Sequence, residues 1–395
     1  MKSIVESDKL SRMESINKIE AAYRTLQKQG QNILKLYAAN PVECGFKFPP
    51  EILKSAYLKY FDQPHYTPDP KGLLKARQAI SHYYEERKFL VSPANTLITA
   101  GTSESFFYLF KLLCQPGDSV LAPIPSYPLF ESIAGLADIK LEPYELNAQD
   151  NWQADIHSIR ENLHPKIKAI VLISPHNPTG SVISAEKLAE ITFLANQHGI
   201  PIICDEVFSE FIFNHQPYPR IAQITSPNLC FTLNGLSKLF ALPAFKLGWI
   251  TVTGQKNLVD PAMDQLEHMA DTFLTCHTAI QESLPELFEK GKDFLGEYKR
   301  EITTRAKLTT DILDTCPFLD FVRPAGGFYL SFTYQKPDLP DEEFVISLMK
   351  QKNIFIHPGY FFDFTEDNYG VISFLHPPEI LQTAFHQIID FIESH

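Results

Sequence analysis

The sequence predicts an α/β protein: a large domain on a mostly parallel sheet covered by helices on both faces, plus a smaller α+β domain. Three observations point there. Between about residues 96 and 253, short apolar runs alternate with stretches of helical spacing. That alternation is the pattern of a parallel sheet whose crossovers are helices. Residues 257–312 then read as a long helical region, continuous or broken, and the tail 318–395 returns to strand-like pieces ("GFYLSF", "IFIHPG", "GVISFL") before a final helix near 378–392. At 395 residues the chain exceeds one small domain. A large and a smaller domain suit that length. The expected large domain takes in residues 50–285, and residues 1–49 with 286–395 make the small one.

Taken in order, apolar positions at 12–30 have helical spacing, and "LYAANPVECGFKFPPEI" is a Pro-rich connector. Helical patterns follow at 51–62 and 72–88. The expected strands are 96–99, 119–122, 140–144, 169–173, 200–204, 229–233 and 247–253. The helices between them are expected at 103–115, 128–137, 154–163 and 184–198. Open parallel sheets bind ligands at the carboxyl ends of their strands, so the loops after these strands are where chemistry is sought.

A net charge of −12 disfavours nonspecific binding to nucleic acid or to an anionic membrane. It leaves room for a local basic pocket. The six cysteines are dispersed without a CxxC pair, which favours reduced, packed thiols over disulfides. The opening "MKSIVESDKLSRMES" has no apolar core of signal-peptide length, and no apolar run approaches the roughly 20 residues of a membrane span. A cytoplasmic protein is expected. Neither a GxGxxG nor a P-loop pattern occurs, and no His/Cys/Asp/Glu grouping has metal-ligand spacing; no metal is expected.

Four short stretches carry possible chemistry. "AGTSES" places Thr102 and Ser103 between a strand and a helix. A helix start with hydroxyls is a ready anion site, and equally an ordinary N-cap. "ISPHNPTG" places Asn177 in a strand-to-helix turn; Asn, Pro and Gly are turn residues in any case. "IPIICDEVFSEF" ends an apolar strand in Asp205. A buried carboxylate is costly unless paired; it serves either as a counter-ion to a cationic ring nitrogen or as a helix cap. "NGLSKLFALPAFKLGWI" sets Lys238 and Lys246 among apolar residues. A desolvated lysine is a usable nucleophile, while a lone lysine is more often a snorkelling surface residue.

The order of these stretches resembles the class I/II aminotransferases, the fold-type I enzymes dependent on pyridoxal 5′-phosphate (PLP). The resemblance runs over essentially the whole chain and includes "HYTPDPKGLLKAR", "CQPGDSVLAPIPSYPLFES", "PAGGFYLS" and "HPGYFF". It implies that Lys238 is the Schiff-base lysine and Asp205 the partner of the ring nitrogen. It further implies that Asn177 donates to the ring's phenolic oxygen and that Tyr127 stacks on the ring. Thr102, Ser103 and Ser237 look like phosphate ligands. Tyr66 resembles the tyrosine that reaches the neighbouring subunit's phosphate, implying a homodimer with shared active sites.

Three positions depart from the family pattern. Lys246 stands where an arginine usually binds the phosphate; it keeps the charge without the bidentate fork. Phe208 stands where a tyrosine often donates to the phenolic oxygen. Val371, in "NYGVISF", stands where an arginine usually grips the substrate's α-carboxylate, and Arg323 is the nearest arginine in sequence. The leading expectation is a transaminase moving an amino group from an amino acid or amine to a 2-oxo acid. A PLP-dependent C–S (β-elimination) lyase of the same fold is the alternative, and a non-catalytic PLP-binding regulatory protein is a third reading.

Overall fold

The computed structural model describes residues 17–62, 64–214, 217–335 and 339–394. Its centre is an eight-stranded sheet. In chain order the strands are β1 (Thr96–Thr99), β2 (Ser119–Ile124), β3 (Lys140–Asn147), β4 (Gln153–Ala154), β5 (Ile167–Ile173), β6 (Ile202–Asp205), β7 (Leu229–Gly235) and β8 (Gly248–Gly254). Across the sheet they run β1-β8-β7-β6-β5-β2-β3-β4. The pairs β3–β2, β2–β5, β5–β6 and β6–β7 are parallel; β8 is antiparallel to both neighbours, and β4 is antiparallel to β3. The central strands are Ile/Val/Leu-rich and buried along their length, as expected for strands covered on both faces.

Among the described residues, the helices of seven or more residues are α1 (Lys18–Lys28), α2 (Pro50–Asp62), α3 (Leu74–Glu85), α4 (Thr102–Leu113), α5 (Leu129–Leu136), α6 (Ile156–Asn162), α7 (Ala185–His198), α8 (Lys256–Phe273), α9 (Thr278–Lys290), α10 (Lys292–Leu313), α11 (Asp341–Lys352) and α12 (Pro378–Ser394). One apolar cluster on the sheet gathers Phe106, Phe110, Val171, Phe231, Ile250 and Leu266. Another gathers Tyr144, Ile170, Ile191, Leu194 and Ile202.

A second, four-stranded antiparallel sheet has β9 (Leu319–Phe321), β10 (Tyr329–Tyr334), β11 (His357–Pro358) and β12 (Tyr369–Ser373), in the order β9-β10-β12-β11. Its core joins residues from both ends of the chain: Ile19, Tyr23 and Leu36 pack in one cluster with Ile302, Leu330, Ile372 and Phe385. The strand pair Leu34–Lys35 and Ile354–Phe355 ties the N-terminal connector to this region.

Some expectations shift. Of the helix expected at 12–30, residues 18–28 are helical and 12–16 lie outside the described residues. The helical region 257–312 is three helices. Leu274 takes a left-handed φ of 67° and ends α8. Gly291 separates α9 from α10 at a point where a Cβ would come within 2.4 Å of Leu287 O. The strand expected at 140–144 continues to Asn147 and turns back through Asn151 and Trp152, both at positive φ, to pair with Gln153–Ala154. The helix expected from 154 therefore begins at Ile156, capped by the Asp155 carboxylate.

Candidate active site

β6 lies in the middle of the sheet, and Asp205 is its last residue. Its side chain is 8% exposed, and Oδ1 accepts the Val207 N–H at 3.1 Å. Burial raises this carboxyl from 3.8 to about 7; Glu206 adds to the rise, while the Val207 N–H and Lys238 oppose it. One buried N–H bond does not replace the lost hydration. The group is suited to a cationic partner.

Lys238 arrives from the next strand. β7 ends at Gly235 and turns at once into the one-turn helix Leu236–Leu239. Lys238 Nζ donates to Ala39 O at 2.9 Å and lies 5.8 Å from the ring centres of Phe208 and Phe328. Burial lowers this amine from 10.5 to about 8, with Asp205 and Cys44 opposing. A larger share of it is unprotonated near neutrality than of an ordinary lysine.

A third element supplies an anion cradle. α4 starts at Thr102 directly after β1, and Gly101 caps it at φ 122° with no side-chain hydrogen bond. The first N–H groups of this helix therefore lack a capping side chain and carry the positive end of the helix dipole. Lys246 Nζ lies 3.9 Å from where a Cβ on Gly101 would sit. Gly101 is needed for its positive φ, and Gly248 is needed because a Cβ there would come within 3.0 Å of the Gly101 backbone. Glu104 Oε2 accepts the Ala100 N–H at 2.5 Å and holds the turn.

Asn177 comes from the loop after β5. It is buried, and its Oδ1 has no hydrogen-bond partner. The loop is closed by Gly180 N–H to His176 O at 2.9 Å, and Gly180 O accepts from both Ala325 and Gly326 N–H. Any Cβ on Gly180 would lie 2.5 Å from Pro324. The "PAGG" stretch is thus pressed against the Asn177 loop.

These groups share one cavity of about 360 Å³, lined by Thr102, Ser103, Tyr127, Asn177, Asp205, Phe208, Ser237, Lys238 and Lys246. Tyr66 is apart from it. It is 68% exposed and lines a separate hollow with Tyr57, Tyr60, Phe61 and Cys276. Val371 is fully buried in β12, opposite Ser331 and His357. Arg323 lies at the surface in an ion pair with Asp314 and is not among the lining residues. Two participants went unassigned in the sequence. Tyr329 lines the cavity from β10; it was legible only as part of "PAGGFYLS". Ala39 contributes a backbone carbonyl, which leaves no side-chain signature.

Comparison with known proteins decides the family. The model of "Aminotransferase class I and II" matches residues 38–388. This chain belongs to the class I and II aminotransferases. It is 29% identical over 381 residues to the glutamate-pyruvate aminotransferase AlaA of Haemophilus influenzae, covering 94% of this chain and 93% of that one. It is 27% identical to the alanine aminotransferase of Mycobacterium tuberculosis, covering 94% and 88%. Among solved structures, the alanine aminotransferase of Pyrococcus furiosus superposes with a TM-score of 0.92 at 27% identity, covering 99% of this aminotransferase and 100% of that chain. The protein is therefore an aminotransferase.

Proposed function

We propose that this aminotransferase uses PLP, held at Lys238, to move an amino group from an amino acid or amine to a 2-oxo acid. The observation that carries the reading is the meeting of Lys238 and Asp205 in one cavity, an amine brought down to about 8 and a carboxyl that calls for a cationic partner. Two others support the fit. Asn177 is buried on the wall of the same cavity, and the uncapped start of α4 beside Lys246 suits a phosphate.

When bound, PLP supplies an aldehyde that condenses with amines and a ring that takes up the electrons left when a Cα proton departs. The chain's own groups do the rest. Thr102, Ser103, Ser237, Lys246 and the α4 N–H groups would hold the phosphate. Asp205 would hold the proton on the ring nitrogen. Asn177 would donate to the ring's phenolic oxygen, and Tyr127 would cover the ring. Lys238 Nζ accepts the substrate's Cα proton and later returns it.

The relatives named glutamate-pyruvate and alanine aminotransferase point to those amino acids and their 2-oxo counterparts as candidate substrates. The reading includes a homodimer, supported by Tyr66, which is exposed and lies outside its own chain's cavity. It includes a cytoplasmic setting, supported by six free thiols and by the lack, among the described residues, of a helix long and apolar enough to cross a membrane. It takes 50–285 as the cofactor-holding domain and 1–49 with 286–395 as the smaller one. The core shared by Ile19 and Phe385 supports that division, with α9 carrying through residue 285.

The test is product analysis with purified holoenzyme. A 2-oxo product formed together with an aminated acceptor is expected. Ammonia released without an acceptor would overturn the reading in favour of the lyase.

A further inference from the structure

The proposed reaction leaves one buried ion pair without a role. Glu206, next to Asp205, is 1% exposed, and Arg220 is 4% exposed. Arg220 Nε lies 2.8 Å from Glu206 Oε2. Neither Glu206 oxygen has a well-directed hydrogen bond among the described residues, so the contact neutralises charge more than it orients. The Glu206 backbone is held to β7 by its N–H, which donates to Leu233 O at 2.9 Å. Two carboxylates on adjacent buried residues repel, and the loss of a counter-charge would fall on both.

Arg220 also touches the other site loops. Its guanidinium lies 5.5 Å from the Tyr84 ring centre and 5.1 Å from that of Tyr218. Tyr218 donates to Ser174 O at 2.8 Å, at the start of the Asn177 loop. Tyr84 accepts from Trp249 Nε1 at 3.0 Å, on the strand that follows Lys246. Arg220 Nη2 reaches Ser209 Oγ at 3.3 Å.

We propose that Arg220 is a positioning residue for transamination: by neutralising Glu206 it keeps the adjacent Asp205 charged and able to hold the proton on the cofactor's ring nitrogen. This rests on the proposed role of Asp205. The charged and titratable groups that bear on the pair are known. Lys238 and Glu206 act on Asp205; Arg220 and Glu210 act on Glu206. Tyr83, Tyr84 and Tyr218 flank Arg220, and Arg87 repels it from the Glu210 side. Cys204 on β6 lies within the field of the same carboxylates.

The experiment measures PLP affinity from pH 5 to 9 by fluorescence quenching, for the parent, Arg220→Met, Arg220→Lys, Glu206→Gln/Arg220→Met and Asp205→Asn. In Arg220→Met the acid limb of the affinity profile is expected to move up by about one pH unit or more, the size of shift a nearby charge imposes on a carboxylate. Lys at 220 and the double variant, in which neither charge remains, are expected to return it to the parent position. A double variant shifted as far as the single one, or a single variant with the parent's limb, overturns the inference. If Arg220→Met does not fold, Glu206→Gln is measured in its place: with Arg220 left unopposed the acid limb is expected to move down, and a limb at the parent position overturns the inference. Equal affinity of the parent and Asp205→Asn at every pH would instead overturn the proposed role of Asp205 itself.

Discussion

Lys238 Nζ donates to the carbonyl of Ala39 at 2.9 Å, across 199 positions of sequence. The amine is thus anchored on the N-terminal connector. Two phenyl rings, Asp205 and Cys44 also bear on it. If Lys238 Nζ is the group that carries the Cα proton, Lys238→Ala lowers kcat by about 10²–10⁴-fold or more, the usual size of general acid–base catalysis. Steady-state kinetics with saturating donor and PLP check this. Undiminished turnover would remove Lys238 from the mechanism.

Asp205 makes the cofactor-free protein sensitive to pH. Its carboxyl rises from 3.8 to about 7 on folding, so the folded chain binds more protons than the unfolded one within that window. Stability from this group is full below the lower value and is lost as pH climbs through 7. Lys238 has the opposite sign: with its amine lowered from 10.5 to about 8, stability rises again as pH goes from 8 towards 10.5. Asp205→Asn is therefore expected to stabilise the cofactor-free protein at pH 8, by roughly 4 kcal/mol at most at 1.36 kcal/mol per pKa unit, while abolishing activity. Urea unfolding at pH 5 and pH 8 measures the difference; a variant no more stable than the parent at pH 8 contradicts the account.

Phe208 is buried against Phe328, with ring centres 4.9 Å apart. It offers no hydrogen bond to the ring's phenolic oxygen. Phe208→Tyr adds a donor to an anion, about 1.5–3 kcal/mol of preference for the ionised form. The pKa read from the visible absorbance of the holoenzyme is expected to fall by about one to two units. An unchanged titration would show that position 208 does not face that oxygen.

Lys246 sits beside the uncapped helix start. Removing its charge in Lys246→Met is expected to weaken PLP binding by roughly 10- to 100-fold, the worth of one charge-assisted hydrogen bond. Lys246→Arg is expected to bind at least as tightly as the parent. Equilibrium dialysis gives both values, and a Met variant with the parent's affinity would place the phosphate elsewhere.

Val371 is enclosed in the core and offers nothing to a carboxylate. A guanidinium grip would favour an α-amino acid over the matching amine by roughly tenfold or more. Here the ratio of kcat/KM between such a pair is expected to stay below about tenfold. A ratio in the hundreds would mean that another group reads the carboxylate.

Much of this architecture was legible because strands buried on both faces write themselves as short apolar runs. β1 keeps the predicted bounds, and β5, β6 and β7 lie within two residues of theirs. What was hidden depends on tertiary contact. Leu274 has no local reason to adopt a left-handed φ. Gly291 ends a helix through packing on Phe48 and Phe240. The site showed the same split. Lys238, Asp205 and Asn177 sit at strand ends where their residue types stand out, and the structure brings them together. Ala39 acts through its carbonyl, and Arg220 acts through Glu206; neither role is written in a residue type. Tyr66 lies outside its own chain's cavity, and its role depends on a contact that no local pattern writes.

The most direct test of the central claim is covalent. Borohydride reduction of the holoenzyme, followed by peptide mass mapping, fixes the cofactor to the side chain that carries it. A phosphopyridoxyl group is expected on the Lys238 side chain and none on that of Lys246, the two being told apart by fragment ions. A label on another lysine, or no label at all, would contradict the claim.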